Sequence, residues 1–388
     1  MTAGTRARHP STSANDADLG PVSLAADLTR LRGAVSDALD AFLAEKRAVL
    51  AGMDPSLVPV LEEVAAVAEG GKRLRPAFAY WGWRAVTTAA PEDDAAVLRA
   101  VAALEFVHGS ALVHDDVMDA ARTRRGRPAT HIGFGDRHTA LGLSGSTELF
   151  GTGAAILVGD LALVWSDELL RRSGISAEAL ARARPVWDTM RTEVTAGQYL
   201  DLLRAAGGLP GPEGALKVAR YKSAGYTVQR PLHLGAALAD AGPELVEAYT
   251  EIALPLGEAF QLRDDVLGVF GDPAVTGKSA DEDLREGKQT LLVALTEEAT
   301  DEAGRALLRS VLGDPAAGAP PAPVEQGAQR WTFARPDEGR EETSWLSGGL
   351  GVCGDAWGPR PGVEQAWLSG TALGARLAAA VAAGTDRS

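Results

Sequence analysis

The sequence is poor in the residues that mark several classes of protein. It has a single cysteine, Cys353, so no intramolecular disulfide can form and nothing indicates an oxidising compartment. Its six histidines lack the spacing of a zinc site. Aromatic residues make up only 5% of the chain, and the β-branched runs typical of strands are scarce. The composition, dominated by alanine and leucine, therefore favours helices.

Excess positive charge and long apolar runs are lacking as well. The formal net charge of −14 argues against non-specific binding to nucleic acid. The most apolar stretch, residues 153–165, is interrupted by Asp160 and is shorter than the ~20 residues that span a bilayer. Residues 1–20 lack the apolar core of a signal peptide. We therefore expect a soluble, cytoplasmic protein without a transmembrane segment or a nucleic-acid partner.

Three regions with different patterns follow one another along the chain. Residues 1–20 are polar and are predicted to be disordered. Residues 21–314 alternate helical patterns with short polar or Gly/Pro joints, which predicts an all-α bundle. Residues 315–388 form an atypical tail rich in glycine, proline and tryptophan. This tail is either a disordered or loosely packed appendage or a stretch whose reading frame differs from that of its ancestor. The predicted helical segments are 57–68, 95–119, 146–172, 177–206, 214–238, 244–270 and 290–312.

The most informative motif is a group of aspartates that follows an apolar helical run. Asp115 and Asp119 are four residues apart and share one face of a helix, with Asp116 beside them. Stacked carboxylates repel one another unless a cation lies between them. Mg²⁺ prefers oxygen ligands and is usually held by one or two carboxylates together with substrate phosphates. Taken alone, this motif fits a magnesium site and a solvated acidic helix face equally well.

A second acidic group follows another apolar run, at residues 261–265. Its polar members on the predicted helix are Gln261, Arg263, Asp264 and Asp265. Two acidic groups on separate helices could face each other across a bundle, and three Mg²⁺ ions could then bridge a diphosphate between them. The pair is therefore more specific than either group alone.

Basic residues are concentrated in two glycine-containing segments. Lys72, Arg73 and Arg75 follow a glycine pair, and Arg124 and Arg125 precede Gly126. Flexible backbone beside dense positive charge suits phosphate oxygens. In an acidic protein, these segments indicate a small polyanionic ligand.

Seven motifs, in one order between residues 24 and 312, resemble the trans-isoprenyl diphosphate synthase (polyprenyl synthetase) family, and in particular its actinobacterial geranylgeranyl diphosphate synthases. The resemblance implies an isoprenoid synthase-type helical bundle around a central apolar cavity. It also implies a homodimeric enzyme that uses Mg²⁺ to join isopentenyl diphosphate to an allylic diphosphate. The motifs are GGKRLRP (70–76), HDDVMD (114–119), TRRG (123–126), GQYLDL (197–202), YKSAGYT (221–227), FQLRDD (260–265) and GKSADEDLREGKQT (277–290).

The resemblance also implies a role for individual residues. The residues that would bind three Mg²⁺ ions with the allylic diphosphate are Asp115, Asp116 and Asp119 from one side and Asp264 and Asp265 from the other. Those that would neutralise this leaving group are Arg124, Lys222, Lys278 and Lys288. Those that would hold the diphosphate of isopentenyl diphosphate are Lys72, Arg75, His108 and Arg125. Ser223 and Gln261 would lie near the carbocation, and Gln198 and Asp201 would line the cavity.

One position departs from the family's pattern and keeps two alternatives open. Residue 268 is glycine, where the second motif usually carries a third aspartate. A non-catalytic regulatory subunit of a prenyl synthase is one alternative, favoured by Gly268 and by the tail. A class I terpene cyclase is the other. The GGKRLRP segment opposes it, because a cyclase ionises one diphosphate and needs no second diphosphate site.

The helix before Asp115 carries the residues that would limit product length. Ser110 and Ala111 lie about one turn before Asp115, at ~1.5 Å per residue, and Val107 lies further from it. Family members that stop at fifteen carbons tend to place an aromatic residue here. The small residues in this sequence favour a product of twenty carbons, geranylgeranyl diphosphate, and leave longer products open.

Replacing Ser110 by phenylalanine should shorten the product, because the ring would block the tunnel below Asp115. The measurement is product chain length by chromatography, with the melting temperature as a check on folding. A folded Ser110→Phe variant with an unchanged product would remove Ser110 from the tunnel.

Overall fold

The computed structural model describes residues 21–87, 94–271 and 282–314, together with two short strands near the C-terminus. Within these ranges almost every element is a helix. The helices are α1 (Pro21–Met53), α2 (Val58–Ala68), α3 (Leu74–Arg84), α4 (Ala95–Met118), α5 (Thr130–Ala140), α6 (Thr147–Arg171), α7 (Ala177–Ala205), α8 (Gly211–Val218), a π-helical segment (Ala219–Gln229), α9 (Arg230–Leu238), α10 (Pro243–Phe270), α11 (Glu282–Arg285), α12 (Leu291–Ala299) and α13 (Glu302–Val311). A short hairpin, β1 (Thr123–Arg124) with β2 (Arg127–Pro128), follows α4.

The chain divides into two compact units, residues 31–334 and residues 1–30 with 335–388. The larger unit contains the helical bundle. In the smaller unit the structure describes residues 21–30 and an antiparallel hairpin, β3 (Trp345–Ser347) and β4 (Leu350–Val352), in which Trp345 pairs with Val352. The predicted N-terminal segment 1–20 and all of the predicted tail 315–388 except this hairpin lie outside the described residues, so both assignments stay predictions.

Helix α4 is the central element of the bundle, and its sequence explains why. Every residue from 100 to 107 is buried, so this part of the helix is apolar on all sides apart from Glu105. A helix without a polar face is stable only when neighbours surround it. Helices α2, α3, α6 and α7 pack against α4. The all-α fold predicted from the sequence is confirmed.

Three aromatic side chains tie α1, α4 and α6 together. The ring centroid of Phe106 lies 5.6 Å from that of Phe42 and 6.5 Å from that of Trp165. Phe42 and Trp165 are 6.2 Å apart in an edge-on arrangement. Aromatic pairs at these separations add ~0.5–1.5 kcal/mol to the free energy of burial. The cluster fixes α4, and therefore the acidic group at its C-terminal end.

Two helices, α4 and α6, are long and apolar enough to cross a membrane by length and composition alone. In α4, 72% of the apolar window is buried inside the protein, as in the core helix of a soluble bundle. In α6 only 39% is buried. The apolar stretch recognised in the sequence, residues 153–165, is the middle of this longer helix.

Helices α8 and α9 and the π-helical segment between them follow one another without a break in backbone direction, since Ala219 and Arg230 at the two junctions are both right-handed helical. The segment packs against α7 and α10. A π-helix has i→i+5 hydrogen bonds, and its wider turns occur frequently at functional sites. The sequence predicted only a helix over 214–238.

The structure differs from the predicted segments in two further places. The predicted helix 290–312 is two helices, because Thr300 is extended and the side chain of Asp301 caps α13 by accepting from the Gly304 amide at 2.9 Å. Helices α3 and α5 were not predicted. Both contain glycine, and α3 also carries Pro76, residues that weaken a helical pattern.

Helices α3 and α9 cross in close contact at two glycines. A Cβ atom on Gly235 would overlap the carbonyl oxygen of Ala79 and lie 2.5 Å from the amide nitrogen of Trp83. A Cβ atom on Gly82 would lie 2.7 Å from the carbonyl oxygen of Leu232. These neighbours are backbone atoms, so neither helix can yield without moving as a whole.

Replacing Gly235 by alanine should lower the free energy of unfolding by about 1–3 kcal/mol, because the added methyl group forces the two helices apart. The matched control is Gly33→Ala in the exposed face of α1, where a Cβ meets no described atom within 4 Å. This control should stabilise the protein by roughly 0.5–1 kcal/mol through helix propensity. Urea denaturation measures both, and equal effects of the two substitutions would contradict the close crossing.

Candidate active site

The two acidic groups lie at the C-terminal ends of α4 and α10. Asp115 and Asp119 on α4 are half-buried, and Asp116 is buried. On α10 the side chain of Asp264 is exposed and Asp265 is buried, accepting a hydrogen bond of 2.8 Å from Gln261 Nε2. Each group therefore presents some carboxylates towards solvent and keeps others inside.

Lys222 of the π-helical segment pairs with Asp115 of the first acidic group. Its Nζ lies 2.7 Å from Asp115 Oδ1 and 2.6 Å from Asp201 Oδ2. Gln198 Nε2 also donates to Asp115 Oδ1 at 2.9 Å. Burial disfavours the charged form of Asp115, but Lys222 and Gln198 outweigh it and lower the pKa of this carboxyl. The close approach depends on Gly197, whose added Cβ would lie 2.7 Å from Lys222 Cα.

Asp116 forms an ion pair with Arg124 of the hairpin. Arg124 Nε donates to Asp116 Oδ1 at 2.8 Å, and Nη2 makes a second, shorter bond to the same oxygen. The same Nη2 is 3.6 Å from Asp115 Oδ2. Burial, more than any charge, raises the pKa of Asp116. Arg124 therefore neutralises the deeper carboxylate and still lies beside Asp115, while a metal-ligand role for Asp116 stays a prediction.

Lys288 lies within electrostatic range of both acidic groups. Its Nζ is 2.7 Å from Glu286 and 3.3 Å from Asp283. Its positive charge also lowers the pKa values of Asp115 and Asp119 on α4 and of Asp265 on α10, opposing their burial. Lys288 is therefore near enough to both acidic groups to act on them electrostatically. That the two groups face a common site stays a prediction.

Two carboxyls in this site remain poorly compensated. Burial first, and then the charge of Asp115, raise the pKa of Asp119 to about 6. Burial and the charges of Asp283 and Asp264 raise the pKa of Asp265 to about 6. Raised values of this kind mark the places where additional positive charge would be most stabilising.

The cations of the second predicted site surround His108. His108 Nδ1 is 3.1 Å from the hydroxyl of Tyr226, and the guanidinium of Arg75 lies 4.2 Å from the centre of the Tyr226 ring. Arg75 also donates to Thr227 Oγ1 at 2.9 Å. Burial, followed by the charges of Arg75, Arg125 and other arginines, lowers the pKa of His108 far below its usual value. His108 is therefore a neutral group among cations.

An unsatisfied donor in this cluster points to an anionic ligand. Arg75 Nε is buried and has no hydrogen-bond partner among the described residues. Buried polar atoms are rarely left in this state unless a ligand or water completes them. A phosphate oxygen would supply the acceptor.

Neighbouring basic residues have different places. Arg73 has a left-handed backbone with φ 54° and points inward, where its guanidinium lies 2.6 Å from Glu105 and 2.6 Å from the carbonyl of Ala68. Arg73 therefore attaches the loop between α2 and α3 to α4. Lys72 is exposed, and Arg125 donates to the carbonyl of Glu69 at 3.0 Å. Charge alone could not separate Arg73 from its neighbours in the sequence.

The remaining predicted residues have mixed positions. Ser223 is half-buried beside Lys222 on the π-helical segment, and Lys278 lies outside the described residues. Ser110 and Val107 are buried, whereas Ala111 is half-buried on the face of α4 that also carries His108 and Asp115. No role was predicted for Tyr226 or Thr227, although both stand in the YKSAGYT segment.

A separate pocket of about 260 Å³ lies against the outer side of the first acidic group. Asp116, Arg124 and Arg125 form part of its wall, together with residues of α2 and of the hairpin. Neither Lys222 nor Asp264 lines it. Asp116, Arg124 and Arg125 thus belong both to the predicted site and to the wall of this pocket.

The donor set fits magnesium that is bound together with a phosphate ligand. Among the described residues, no three His, Cys, Asp or Glu side chains are grouped closely enough to hold a metal ion alone. The available donors are carboxylate oxygens in pairs, and two of these carboxyls have raised pKa values. Mg²⁺ needs only one or two protein carboxylates when phosphates and water supply its other ligands.

An all-α bundle with paired aspartate groups and a separate cationic site is the architecture of a prenyltransferase. Residues 59–320 match the polyprenyl synthetase family, so this chain belongs to that family. Its members condense prenyl diphosphates in the trans configuration and depend on Mg²⁺. The predicted family, fold and enzyme class are confirmed.

Solved and characterised relatives agree with this assignment. A geranylgeranyl pyrophosphate synthase from Corynebacterium glutamicum, solved with isoprenyl diphosphate and magnesium, is 41% identical with a TM-score of 0.71. The match covers 74% of this chain and 82% of that one. The geranylfarnesyl diphosphate synthase of Aeropyrum pernix is 34% identical over 63% of this chain and 71% of its own length. The nonaprenyl diphosphate synthase of Mycobacterium tuberculosis is 31% identical over 80% and 83%. These relatives are named for products of different length.

Asp119→Asn should stabilise the metal-free protein at neutral pH. The pKa of this carboxyl is about 6 in the folded protein against an ordinary value of 3.8. The folded state therefore loses stability as the pH rises through this window, and asparagine removes that loss. We expect a gain of about 1–2 kcal/mol at pH 7.5 in EDTA, discounted for partial exposure, which shrinks as the pH falls from 6 to 4.

The measurement is urea denaturation in EDTA at several pH values. Glu298→Gln, at an exposed position of α12, serves as a control that should change little. A stabilisation by Asp119→Asn that grows towards acid pH would contradict the assignment.

Proposed function

We propose that this protein synthesises geranylgeranyl diphosphate by adding isopentenyl diphosphate to an allylic diphosphate. The observation that supports it most is the buried Nε of Arg75, beside His108 and Arg125, which has no hydrogen-bond partner among the described residues. We propose two diphosphate sites, the first at the acidic groups near Lys288 and the second at this cationic cluster. An enzyme that ionises a single diphosphate, such as a cyclase, would need only the first.

Asp115, Asp119, Asp264 and Asp265 are the residues that would hold Mg²⁺ with the allylic diphosphate. Three ions are proposed, because the carboxylates of one group alone would leave part of the diphosphate charge uncompensated. When bound, Mg²⁺ neutralises the charge that builds up on the departing diphosphate. Lys222, Arg124 and Lys288 act on the same oxygens as fixed positive charges. Their ammonium and guanidinium groups are already oriented by Asp115, Asp116 and Glu286.

The isopentenyl diphosphate would bind through Arg75, Arg125 and Lys72. The unpartnered Nε of Arg75 donates to a phosphate oxygen, and the stacking of this guanidinium on Tyr226 keeps it in place. His108 is neutral, so it contributes a hydrogen bond and no charge. This second site holds the diphosphate that is retained in the product.

The reaction breaks the C–O bond between the allylic carbon and its diphosphate. The bonding electron pair leaves with the diphosphate, and an allylic carbocation remains. The double bond of isopentenyl diphosphate attacks this cation and forms the new C–C bond. A proton then leaves the adjacent carbon to the released diphosphate, so no dedicated base is needed. Gln261 and Ser223 are proposed to stabilise the cation through their amide and hydroxyl dipoles.

Small side chains on α4 support a product of twenty carbons. Ala111 lies one turn before Asp115 on the same helix face, and Ser110 and Val107 are buried beside it. None of them is large enough to stop chain growth close to Asp115. The 41% identical relative from Corynebacterium glutamicum carries the name of a geranylgeranyl pyrophosphate synthase, which agrees with this length.

Isotopically labelled isopentenyl diphosphate, offered with five-, ten- or fifteen-carbon allylic primers, tests the function directly. We expect Mg²⁺-dependent extension that ends at twenty carbons and is abolished by EDTA or by Asp115→Ala. Products of another length would refute the proposed product alone. A hydrocarbon formed without incorporation of label would indicate a cyclase, and no extension at all would indicate a non-catalytic subunit.

We propose a homodimer that forms through α6. Its exposed face carries a row of large apolar side chains, among them Leu149 (72% exposed), Leu157 (62%) and Val164 (62%). Phe150, Leu157 and Val164 are seven residues apart and share one side of the helix. Several large exposed apolar side chains on one side of a helix favour a protein–protein interface. The cytoplasmic location stays a prediction of the sequence.

Leu157→Glu should convert a dimer into a monomer, because a carboxylate at the centre of the apolar face cannot be buried without a partner. The matched control is Leu307→Glu on α13, where leucine is 66% exposed. Light scattering coupled to gel filtration gives the mass of each variant. A wild-type monomer, or a Leu157→Glu protein that remains dimeric, would contradict this interface.

A further inference from the structure

The two acidic groups differ at one position. On α4, Asp115 is followed four residues later by Asp119, so two carboxylates stand one above the other on one face. On α10, the residue four positions after Asp264 is Gly268. The second group therefore lacks the carboxylate that the first group has at the equivalent place.

The space beside Gly268 is occupied by another carboxylate, that of Asp283. A Cβ atom built on Gly268 would overlap Asp283 Oδ2, would lie 2.6 Å from Asp283 Cγ and would lie 3.3 Å from Oδ1. Asp283 belongs to α11, which packs against the end of α10. A carboxylate from a different helix thus stands where a side chain of residue 268 would begin.

The backbone around Asp283 holds this carboxylate in position. The amide of Lys288 donates to the carbonyl of Asp283 at 2.9 Å, and the carbonyl of Leu284 accepts from the amides of Gly287 at 3.1 Å and Gly313 at 2.8 Å. The side chain of Asp283 is 17% exposed, and its Oδ1 is 3.3 Å from Lys288 Nζ. Only one of the two oxygens is used by this ion pair.

The negative charge of Asp283 acts on the second acidic group. After burial, it is the largest charge effect that raises the pKa of Asp265, ahead of the effect of Asp264. Asp283 is therefore close enough to belong electrostatically to that group. Its counter-ion, Lys288, is the cation that also acts on Asp115 and Asp119.

We infer that Asp283 supplies the third carboxylate of the second acidic group, in place of residue 268, and helps to hold the Mg²⁺–diphosphate complex. This inference rests on the proposed function of the site. It assigns to Gly268 a positive role, since only a residue without a side chain leaves room for Asp283. It also means that the missing aspartate does not indicate a non-catalytic subunit.

The test removes the carboxylate from position 283 and then supplies one from position 268. Asp283→Asn keeps the shape of the side chain and removes its charge, while Lys288 retains its ion pair of 2.7 Å with Glu286. Gly268→Asp/Asp283→Ala returns one carboxylate to the same space from the other helix. Calorimetry measures the Mg²⁺ concentration required for half-maximal binding of inorganic diphosphate to the full-length protein. Glu298→Gln, an exposed acid on α12, is the control for charge alone.

We expect Asp283→Asn to require about tenfold more Mg²⁺, in the range seen when groups that support a metal site are removed. The double variant should recover to within about threefold of the wild type, and the control should not change. Melting temperatures without Mg²⁺ verify that each variant is folded.

Equal Mg²⁺ requirements for Asp283→Asn and the wild type would overturn the inference. A folded double variant that remains as weak as Asp283→Asn would overturn it as well, because Asp283 would then act only through Lys288 or the loop. If the wild type itself fails to bind diphosphate with Mg²⁺, the proposed function fails first. The two failures are therefore distinguishable.

Discussion

A surplus of carboxylates at the ends of α4 and α10 is the constraint on which the rest of the site depends. Protein cations compensate part of it: Lys222 faces Asp115, and Arg124 faces Asp116. The protein does not compensate the negative charges of Asp119 and Asp265, as their raised pKa values show. Such a surplus suits a ligand that brings its own divalent cations, in agreement with the Mg²⁺ dependence of the family.

The packing of the bundle serves this constraint. Carboxylates that repel one another can be held together only on a rigid support. Helix α4 provides it, because its buried segment 100–107 is surrounded by other helices and is locked by the Phe42–Phe106–Trp165 cluster. The buried Arg73–Glu105 pair adds a second fixed point between this helix and the basic loop. Breaking one partner of such a buried pair is costly, so the loop and the helix move together or not at all.

The sequence predicted much of the fold and less of the site. Long segments with helical apolar spacing predicted α4, α6 and α7 to within one residue at each end. Serine N-caps mark the starts of α6 and α7. The break between α12 and α13 at Asp301 was not predicted, because apolar residues continue on both sides of it. In the site, the roles of the residues stay predictions, and the partners of the charged side chains were not visible in the sequence. Arg73 and Arg75 look alike in sequence, and only the position of Glu105, far along the chain, separates them. The contact of Asp283 with Gly268 is hidden for the same reason.

The π-helical segment has a consequence for how the site is assembled. Lys222, Tyr226 and Thr227 contact Asp115, His108 and Arg75 respectively, although they are separated by four and one positions along the segment. In an ordinary α-helix, successive residues point ~100° apart, whereas the wider turn reduces this angle and lets Tyr226 and Thr227 reach neighbouring helices together. The extra residue in each turn thus acts as a spacer. Deleting one residue between Lys222 and Tyr226 would rotate Tyr226, Thr227 and α9 relative to Lys222, so the contacts with His108 and Arg75 and the close crossing of α9 with α3 would be lost together.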